Sequence, residues 1–215
     1  MVKRVGKIAL VQMPIAFPTL PPLGLALLKA GLERNGLDAR VYHLNMRFAE
    51  QFDSRFYLQL SAFLAGPLAG EWIFSEALWG ESAERDAAYV SSLRRQVDQR
   101  TVQGILRARN LVEPFLSKCL DEVPWEQYAI IGFTSIFQQH TASLALAKAI
   151  KQRWPHVRIV FGGANCEGPM AMPLLRNFSF VDAVFSGESD ETLPMYAKGS
   201  QSNKLGRVDR LDAGS

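Results

Sequence analysis

The chain has few of the residues and patterns that mark specialised protein classes. Among its 215 residues, the two cysteines, Cys119 and Cys166, do not form a C-x-x-C pair. No uninterrupted apolar run reaches the ~18 residues that a transmembrane helix needs. The 24 basic residues are nearly balanced by 21 acidic residues. These features exclude a disulfide-rich miniprotein and predict no membrane and no nucleic-acid partner. Isolated thiols also predict a cytoplasmic location.

Motifs that hold phosphates, metals or catalytic nucleophiles are missing as well. The sequence has no G-x-G-x-x-G after its first apolar segment and no G-x-x-x-x-G-K-[ST], which disfavours dinucleotide and P-loop sites. It also has no G-x-S-x-G nucleophile elbow. The histidines His43, His140 and His156 are scattered without metal-site spacing. We therefore predict neither a catalytic residue nor a metal ligand in this chain.

The sequence does contain an alternation of strand-like and helix-like segments. Apolar, β-branched segments at 5–11, 38–43, 128–134, 157–161 and 181–185 predict strands, and helical patterns occupy 23–34, 141–154 and 169–178. In the first helix, Leu23, Ala26, Leu27 and Ala30 share one face. This alternation predicts an α/β fold with a doubly wound, flavodoxin-like or Rossmann-like parallel sheet of five strands.

A long interruption separates the second and third predicted strands, at about 46–127. Apolar residues recur there at helical spacing, among them Phe48, Phe52, Phe56, Leu60 and Phe63. The pattern predicts a helical insertion packed over one end of the sheet, within a single domain of residues 1–197. The polar segment 198–215 is predicted to be a disordered tail or a segment foreign to the native chain.

The loops at the carboxyl ends of the strands are the candidate ligand site, because open parallel sheets bind ligands there. Several of these loops are small, polar or glycine-containing, and glycine permits close backbone approach. The candidate cofactor-binding residues are Met13, Pro14, Thr134, Ser135, Ile136, Phe137, Gln138, Gly162, Gly163, Ala164, Asn165, Gly187 and Glu188. Plainer roles stay open, since such residues also form turns and helix caps. The residues alone indicate a ligand-binding α/β domain with a helical insertion.

Five segments together resemble a known arrangement. They are PLGLALLKA at 22–30, GEWIFS at 70–75, GFTSIFQQ at 132–139, GGANCEG at 162–168, and Gly187-Glu188. The set resembles the N-terminal cobalamin-binding domain of cobalamin-dependent radical SAM enzymes. The most similar group is the family that matures ribosomally made peptides, typically by C-methylation. The likeness covers roughly residues 7–194.

The resemblance implies that the chain binds cobalamin with its dimethylbenzimidazole tail detached from cobalt. Thr134 and Ile136 resemble the S-x-L element of cobalamin domains, and Gly162-Gly163 resembles their G-G element. The D-x-H-x-x-G motif, whose histidine coordinates cobalt in domains of the methionine synthase type, is absent from the first loop. The implied cobalamin therefore has no histidine ligand. Its tail would run beside the strands, and its corrin would lie across the strand ends. Trp72 or Trp79 is a candidate neighbour of the lower face.

Two departures from the family pattern limit what the chain does alone. Gly187-Glu188-Ser189-Asp190 stands where relatives often have G-E-G-E, and no C-x-x-x-C-x-x-C motif is present. S-adenosylmethionine and a [4Fe-4S] cluster would then require a radical SAM domain supplied elsewhere. We expect a truncated or stand-alone carrier module, inactive by itself, with a radical SAM polypeptide and a precursor peptide as partners.

Two other functions stay open. One is a cofactor-free interaction domain that recognises a peptide or partner protein, with an acidic-partner surface made by insertion arginines, namely Arg94, Arg95, Arg100, Arg107 and Arg109. The other is a receiver-like or nucleotide-binding domain on the same scaffold. The missing acidic cluster and phosphate loop disfavour the second of these alternatives.

Overall fold

A six-stranded sheet forms the centre of the molecule, in a computed structural model that describes residues 6–199 and 207–209. Its strands are β1 (Lys7–Gln12), β2 (Ala39–His43), β3 (Tyr128–Thr134), β4 (Arg158–Gly162), β5 (Ala183–Phe185) and β6 (Arg207–Asp209). The order is β2-β1-β3-β4-β5-β6. The first five strands are parallel, which confirms the doubly wound, flavodoxin-like prediction.

Strand β6 was not predicted, and it pairs antiparallel with β5 at the edge of the sheet. It lies inside the segment 198–215 that was predicted to be a disordered or foreign tail. Residues 200–206 and 210–215 of that segment lie outside the described residues.

The helices follow the predicted alternation, with the expected insertion between β2 and β3. They are α1 (Leu23–Arg34), α2 (Leu44–Ala49), α3 (Ser54–Ala62), α4 (Ala69–Trp79), α5 (Ala83–Leu93), α6 (Gln99–Asn110), α7 (Val112–Glu122), α8 (His140–Arg153), α9 (Ala171–Asn177) and α10 (Thr192–Ala197). Helices α2–α7 form the insertion. Short 3-10 turns occur at Trp125–Gln127, Ala164–Cys166 and Gly168–Met170.

The two faces of the sheet pack against different helices, which is why its strands are apolar on both sides. Alternate residues such as Leu10, Ile130 and Val160 pack with α1 and α10 in one core cluster. Their neighbours, such as Val11 and Ile131, belong to a larger cluster that includes α8, α9 and the insertion. The insertion therefore lies on the α8 side of the sheet, where α4 packs against α8, and does not only cover one end.

The apolar residues that recur at helical spacing at the start of the insertion are divided between two helices. Phe48 in α2 and Leu60 in α3 are fully buried, whereas Phe63 lies just beyond α3 and is 80% exposed. The chain turns between α2 and α3, so the sequence spacing does not continue on one helical face. Within the described residues, no helix is long and apolar enough to cross a membrane.

Candidate ligand-binding site

A cleft of about 670 Å³ lies between α1 and the face of the sheet that α1 covers. It reaches the carboxyl edge of the central strands, where Thr134, Gly163 and Gly187 line it. The chain leaves β1 toward β2 on one side and continues from β3 to β4 on the other. The cleft therefore lies beside the switch point at which open α/β sheets bind their ligands.

Two glycines leave the floor of the cleft without side chains. Gly132 in β3 is paired with Leu10 on one side and with Val160 on the other. Gly162, the last residue of β4, has space around it, because a Cβ atom there would meet only Phe185, at 3.7 Å or more. A larger side chain at Gly162 would therefore extend into the cleft.

Helix α1 supplies an apolar wall. Leu25 and Leu32 are buried against the sheet, but Leu23 and Leu27 are 69% and 57% exposed and line the cleft with Gly24 and other residues of α1. The face predicted from Leu23, Ala26, Leu27 and Ala30 is thus apolar but does not pack on the sheet. Because α1 is apolar on both faces, its sequence contains a signal for a second apolar surface, the one that borders the cleft.

The segment Gly187–Asp190 and Leu193 of α10 form the opposite wall. This wall approaches α1 at Gly31, where a Cβ atom would lie 3.2 Å from the carbonyl oxygen of Asp190. Charged side chains in the lining are few and include Arg34, Glu188 and Asp190. A ligand with a mainly apolar body and polar groups at its margins matches this lining.

Asn165 ties the loop after β4 to the loop after β3. Its side-chain Nδ2 donates to the carbonyl oxygen of Ile136 at 2.8 Å and to Ser135 Oγ at 3.2 Å. Its backbone N–H donates to the carbonyl oxygen of Ser135. Asn165 therefore holds two loops of the candidate site together.

The following residues connect the β4 loop to the β5 loop in the same way. The Gly168 N–H donates to Ser186 Oγ at 2.8 Å, and the Gly187 N–H donates to Glu167 Oε1 at 3.2 Å. The G-G-A-N-C-E-G segment thus supplies the polar links along the rim of the cleft. Asn165 and Glu167 of this segment therefore have structural roles that do not require a ligand.

Gly163 combines a left-handed backbone with a very close contact. Its φ angle is +98°, and a Cβ atom there would lie 2.8 Å from the carbonyl oxygen of Ser135. Glycine is required at this position by the neighbouring backbone, whether or not a ligand binds.

Helix α4 holds the loop after β3 from the side of the insertion. The carboxylate of Glu71 accepts hydrogen bonds from the backbone N–H groups of His140 and Thr141, at 3.2 and 2.7 Å. These N–H groups begin α8, where a negative charge interacts favourably with the helix dipole. The G-E-W-I-F segment therefore docks the insertion onto the site.

Ser135 and His140 form a short hydrogen bond, 2.7 Å between Oγ and Nδ1. Asn165 Nδ2 donates to the same Ser135 oxygen, so the hydroxyl proton is free to point at His140 Nδ1. In this arrangement a neutral His140 carries its proton on Nε2. Burial lowers the pKa of His140 below its ordinary value of 6.5, while the Glu71 carboxylate opposes this shift. At pH 7, the neutral form of His140 is therefore favoured.

The predicted site residues divide into two groups. Those that line the cleft are Thr134, Gly162, Gly163, Gly187 and Glu188. Those outside its lining are Met13, Pro14, Ser135, Ile136, Phe137, Gln138, Ala164 and Asn165. In the second group Ile136 and Phe137 are exposed at the strand ends, whereas Met13, Pro14, Ser135 and Gln138 are buried. Sequence reasoning missed the α1 wall and the floor residue Gly132.

Neither tryptophan considered for the lower face lines the cleft. The Trp72 ring stacks on Tyr89 with centroids 4.5 Å apart, and the Arg109 guanidinium lies 4.1 Å from its centroid. Its Nε1 donates to Asp86. Trp72 is thus a packing residue of the insertion, and Trp79 at the end of α4 is 56% exposed.

Arg109 also differs from its expected place in an acidic-partner surface. Its side chain is only 8% exposed. Both oxygens of Asp86 accept hydrogen bonds from Arg109 Nη2 at 2.8 Å. The other insertion arginines considered, Arg94, Arg95, Arg100 and Arg107, are exposed.

Thiol and metal chemistry is sparse in the described residues. Cys119 and Cys166 are free and buried, and burial raises the pKa of each thiol to about 12. Within the described part of the chain, no three His, Cys, Asp or Glu side chains are grouped to hold a metal ion.

The structure is a Rossmann-like α/β domain with a cleft that reaches the carboxyl edge of its sheet. No family model, curated protein or solved structure significantly matches this chain.

Proposed function

We propose that this chain is the cobalamin-binding module of a radical SAM methyltransferase acting on a ribosomally made peptide. The observation that carries the proposal is the glycine-floored cleft between α1 and the sheet, which reaches the strand ends. Cobalamin combines a wide corrin with a narrow nucleotide tail, and the open edge and the cleft offer a surface for each. The sequence resemblance points to the same cofactor.

The residues present fit this cofactor. The Cβ positions of Gly24 and Gly162 face open space or ordinary contacts, and both residues line the cleft. They would hold the nucleotide tail together with Leu23, Leu27 and Thr134. The exposed Ile136 and Phe137 at the strand ends would contact the corrin.

Bound methylcobalamin would supply a methyl group to a carbon radical on the substrate peptide. The contribution of this chain is to bind the cofactor, orient it and shield one of its faces from water. The radical requires an iron–sulfur cluster, which needs a set of thiolate ligands. Cys119 and Cys166 are too few, so S-adenosylmethionine and the cluster would belong to a radical SAM domain outside these 215 residues.

The contacts of His140 and the position of His156 support a cobalamin without a protein ligand on cobalt. His140 Nδ1 is bonded to Ser135 Oγ, which favours the tautomer with a protonated Nε2. His43 Nδ1 donates to Gln12 Oε1 at 3.2 Å, which leaves a lone pair on its Nε2, so the histidine replacements described next test this residue directly. His156 precedes β4 and lies at the opposite edge of the sheet from the site.

Binding of hydroxocobalamin tests the proposal directly. The purified protein is mixed with hydroxocobalamin and desalted, and its visible spectrum is recorded. We expect equimolar retained cobalamin with a base-off spectrum, unchanged when His43, His140 and His156 are replaced together. Loss of all cobalamin on desalting would refute the proposal, and a spectrum that depends on one histidine would refute the ligand assignment.

A cofactor-free interaction domain is the second candidate, favoured by the exposed apolar side chains at the strand ends. Leu20 in the loop after β1 and Phe137 in the loop after β3 are 62% and 60% exposed. A peptide or partner protein would cover such side chains as well as a corrin does. The same hydroxocobalamin experiment separates the two candidates, because an interaction domain retains no corrinoid.

A further inference from the structure

Gln138 is a candidate cofactor-binding residue by sequence, yet the residue is only 2% exposed. We infer that Gln138 is a positioning residue, through which the helical insertion sets the conformation of the loop between β3 and α8. The inference rests on the proposed function, in which this loop contacts the corrin. It gives the insertion a role in cofactor binding, although no residue of the insertion lines the cleft.

The hydrogen bonds of Gln138 connect three separate parts of the chain. Its Oε1 accepts from the N–H of Gly70 in α4 at 3.0 Å, and its Nε2 donates to the carbonyl oxygen of Leu60 in α3 at 3.2 Å. Its backbone carbonyl oxygen accepts from the N–H of Ile15, in the loop after β1, at 3.2 Å. The polar atoms of the side chain are thus bonded within the protein.

The backbone at this position depends on those contacts. Gln138 has a φ angle of +65°, in the left-handed region that residues other than glycine seldom adopt. Helix α4 approaches so closely that a Cβ atom at Gly70 would lie 2.8 Å from the Gln138 carbonyl oxygen and from its Cβ. Tertiary contacts with the insertion therefore hold a conformation that the loop would not favour alone.

The same helix fixes the far end of the loop. Glu71, next to Gly70, binds the N–H groups of His140 and Thr141 at the start of α8. Two exposed apolar residues, Ile136 and Phe137, lie between the end of β3 and Gln138. Helix α4 consequently holds the segment that follows them, and Asn165 holds Ile136 from the other side.

This arrangement predicts that two corrinoids, hydroxocobalamin and diaquocobinamide, respond alike to a change at Gln138. Cobinamide has the corrin but lacks the nucleotide tail. Its affinity therefore measures contacts with the strand-end loops and not contacts within the cleft. If Gln138 positions the corrin-contacting loop, Gln138→Ala should weaken the binding of hydroxocobalamin and of diaquocobinamide by the same factor. We expect about tenfold, for the loss of two hydrogen bonds. A residue that contacted the tail would affect only hydroxocobalamin.

The experiment measures both affinities and the amide hydrogen exchange of residues 135–139 in wild-type protein and variants. Gln59→Ala is the matched control, because Gln59 Nε2 also links two insertion helices, donating to Thr101 Oγ1 at 3.2 Å, without touching the loop. We expect Gln138→Ala to lower both affinities about tenfold and to speed loop exchange, and Gln59→Ala to change neither. Gln138→Gly removes the backbone strain and serves if Gln138→Ala does not fold; it should show the same losses.

The possible failures are distinguishable. Unchanged affinities and exchange in a folded Gln138 variant, or loss of hydroxocobalamin binding alone, overturn the positioning role. If wild-type protein binds neither corrinoid, the proposed function fails and no corrinoid role remains. Amide hydrogen exchange of residues 135–139 then still tests whether Gln138 fixes the conformation of the loop.

Discussion

The backbones of Gly163 and Ser135 lie in direct contact. A Cβ atom on Gly163 would lie 2.8 Å from the carbonyl oxygen and 3.1 Å from the nitrogen of Ser135. The second glycine of the G-G pair thus serves the packing of two loops. The first, Gly162, faces Phe185 at ordinary distances and leaves space in the cleft. Substitutions at these two adjacent glycines should therefore have different effects, on stability at Gly163 and on ligand binding at Gly162.

Gly163→Ala should destabilise the protein by about 1–3 kcal/mol, since both the left-handed backbone and the Ser135 contact oppose a side chain. Gly36→Ala is the matched control, because Gly36 also has a positive φ, of +74°, but no neighbour within 4 Å. Urea unfolding of both variants separates the two effects. Equal destabilisation of the two would mean that the Ser135 contact contributes nothing.

Gly162→Leu and Gly24→Leu should each weaken hydroxocobalamin binding about 10- to 100-fold, because overpacking a cleft costs roughly 1–3 kcal/mol. In α1, Gly24→Leu should also stabilise the fold slightly, since leucine favours helix more than glycine does. Gly66→Leu is the control, at an exposed glycine outside the cleft with no neighbour within 4 Å. Full binding by both cleft variants would show that the tail does not lie along α1.

Glu71→Gln should lower the free energy of unfolding by about 1 kcal/mol, because it removes the negative charge that caps α8. It should also lower the pKa of His140 further, since the Glu71 carboxylate now raises it. Urea unfolding and NMR titration of His140 measure the two effects. Glu81→Gln, at an exposed residue between α4 and α5, should change neither.

The stability of the protein should fall in mild acid because of His140. Burial holds its folded-state pKa below the ordinary value of 6.5, so the unfolded chain binds the proton more readily. The contribution of neutral His140 is complete above pH 6.5 and is lost as the pH falls toward the folded pKa. Urea unfolding at several pH values should show this loss in wild-type protein and in the exposed-residue control His156→Gln. His140→Gln should be less pH-dependent, and an unchanged pH profile would contradict the assignment.

Much of the fold could be predicted from local sequence. The helix prediction at 23–34 matches α1, and the strand prediction at 128–134 matches β3. Both segments have apolar patterns of the required period and clear ends. Strand β6 could not be predicted, because the polar segment around it has no apolar period and the strand depends on its pairing with β5.

The sequence by itself determined the α/β class, the helical insertion and the edge of the sheet that the cleft reaches. These follow from hydrophobic periodicity and from the rule that parallel strands end at one edge. Only the tertiary structure decided that one apolar face of α1 borders the cleft and that Gln138 is buried under the insertion. Both depend on contacts between distant residues, such as Gly70 with Gln138, whose close approach no local pattern encodes.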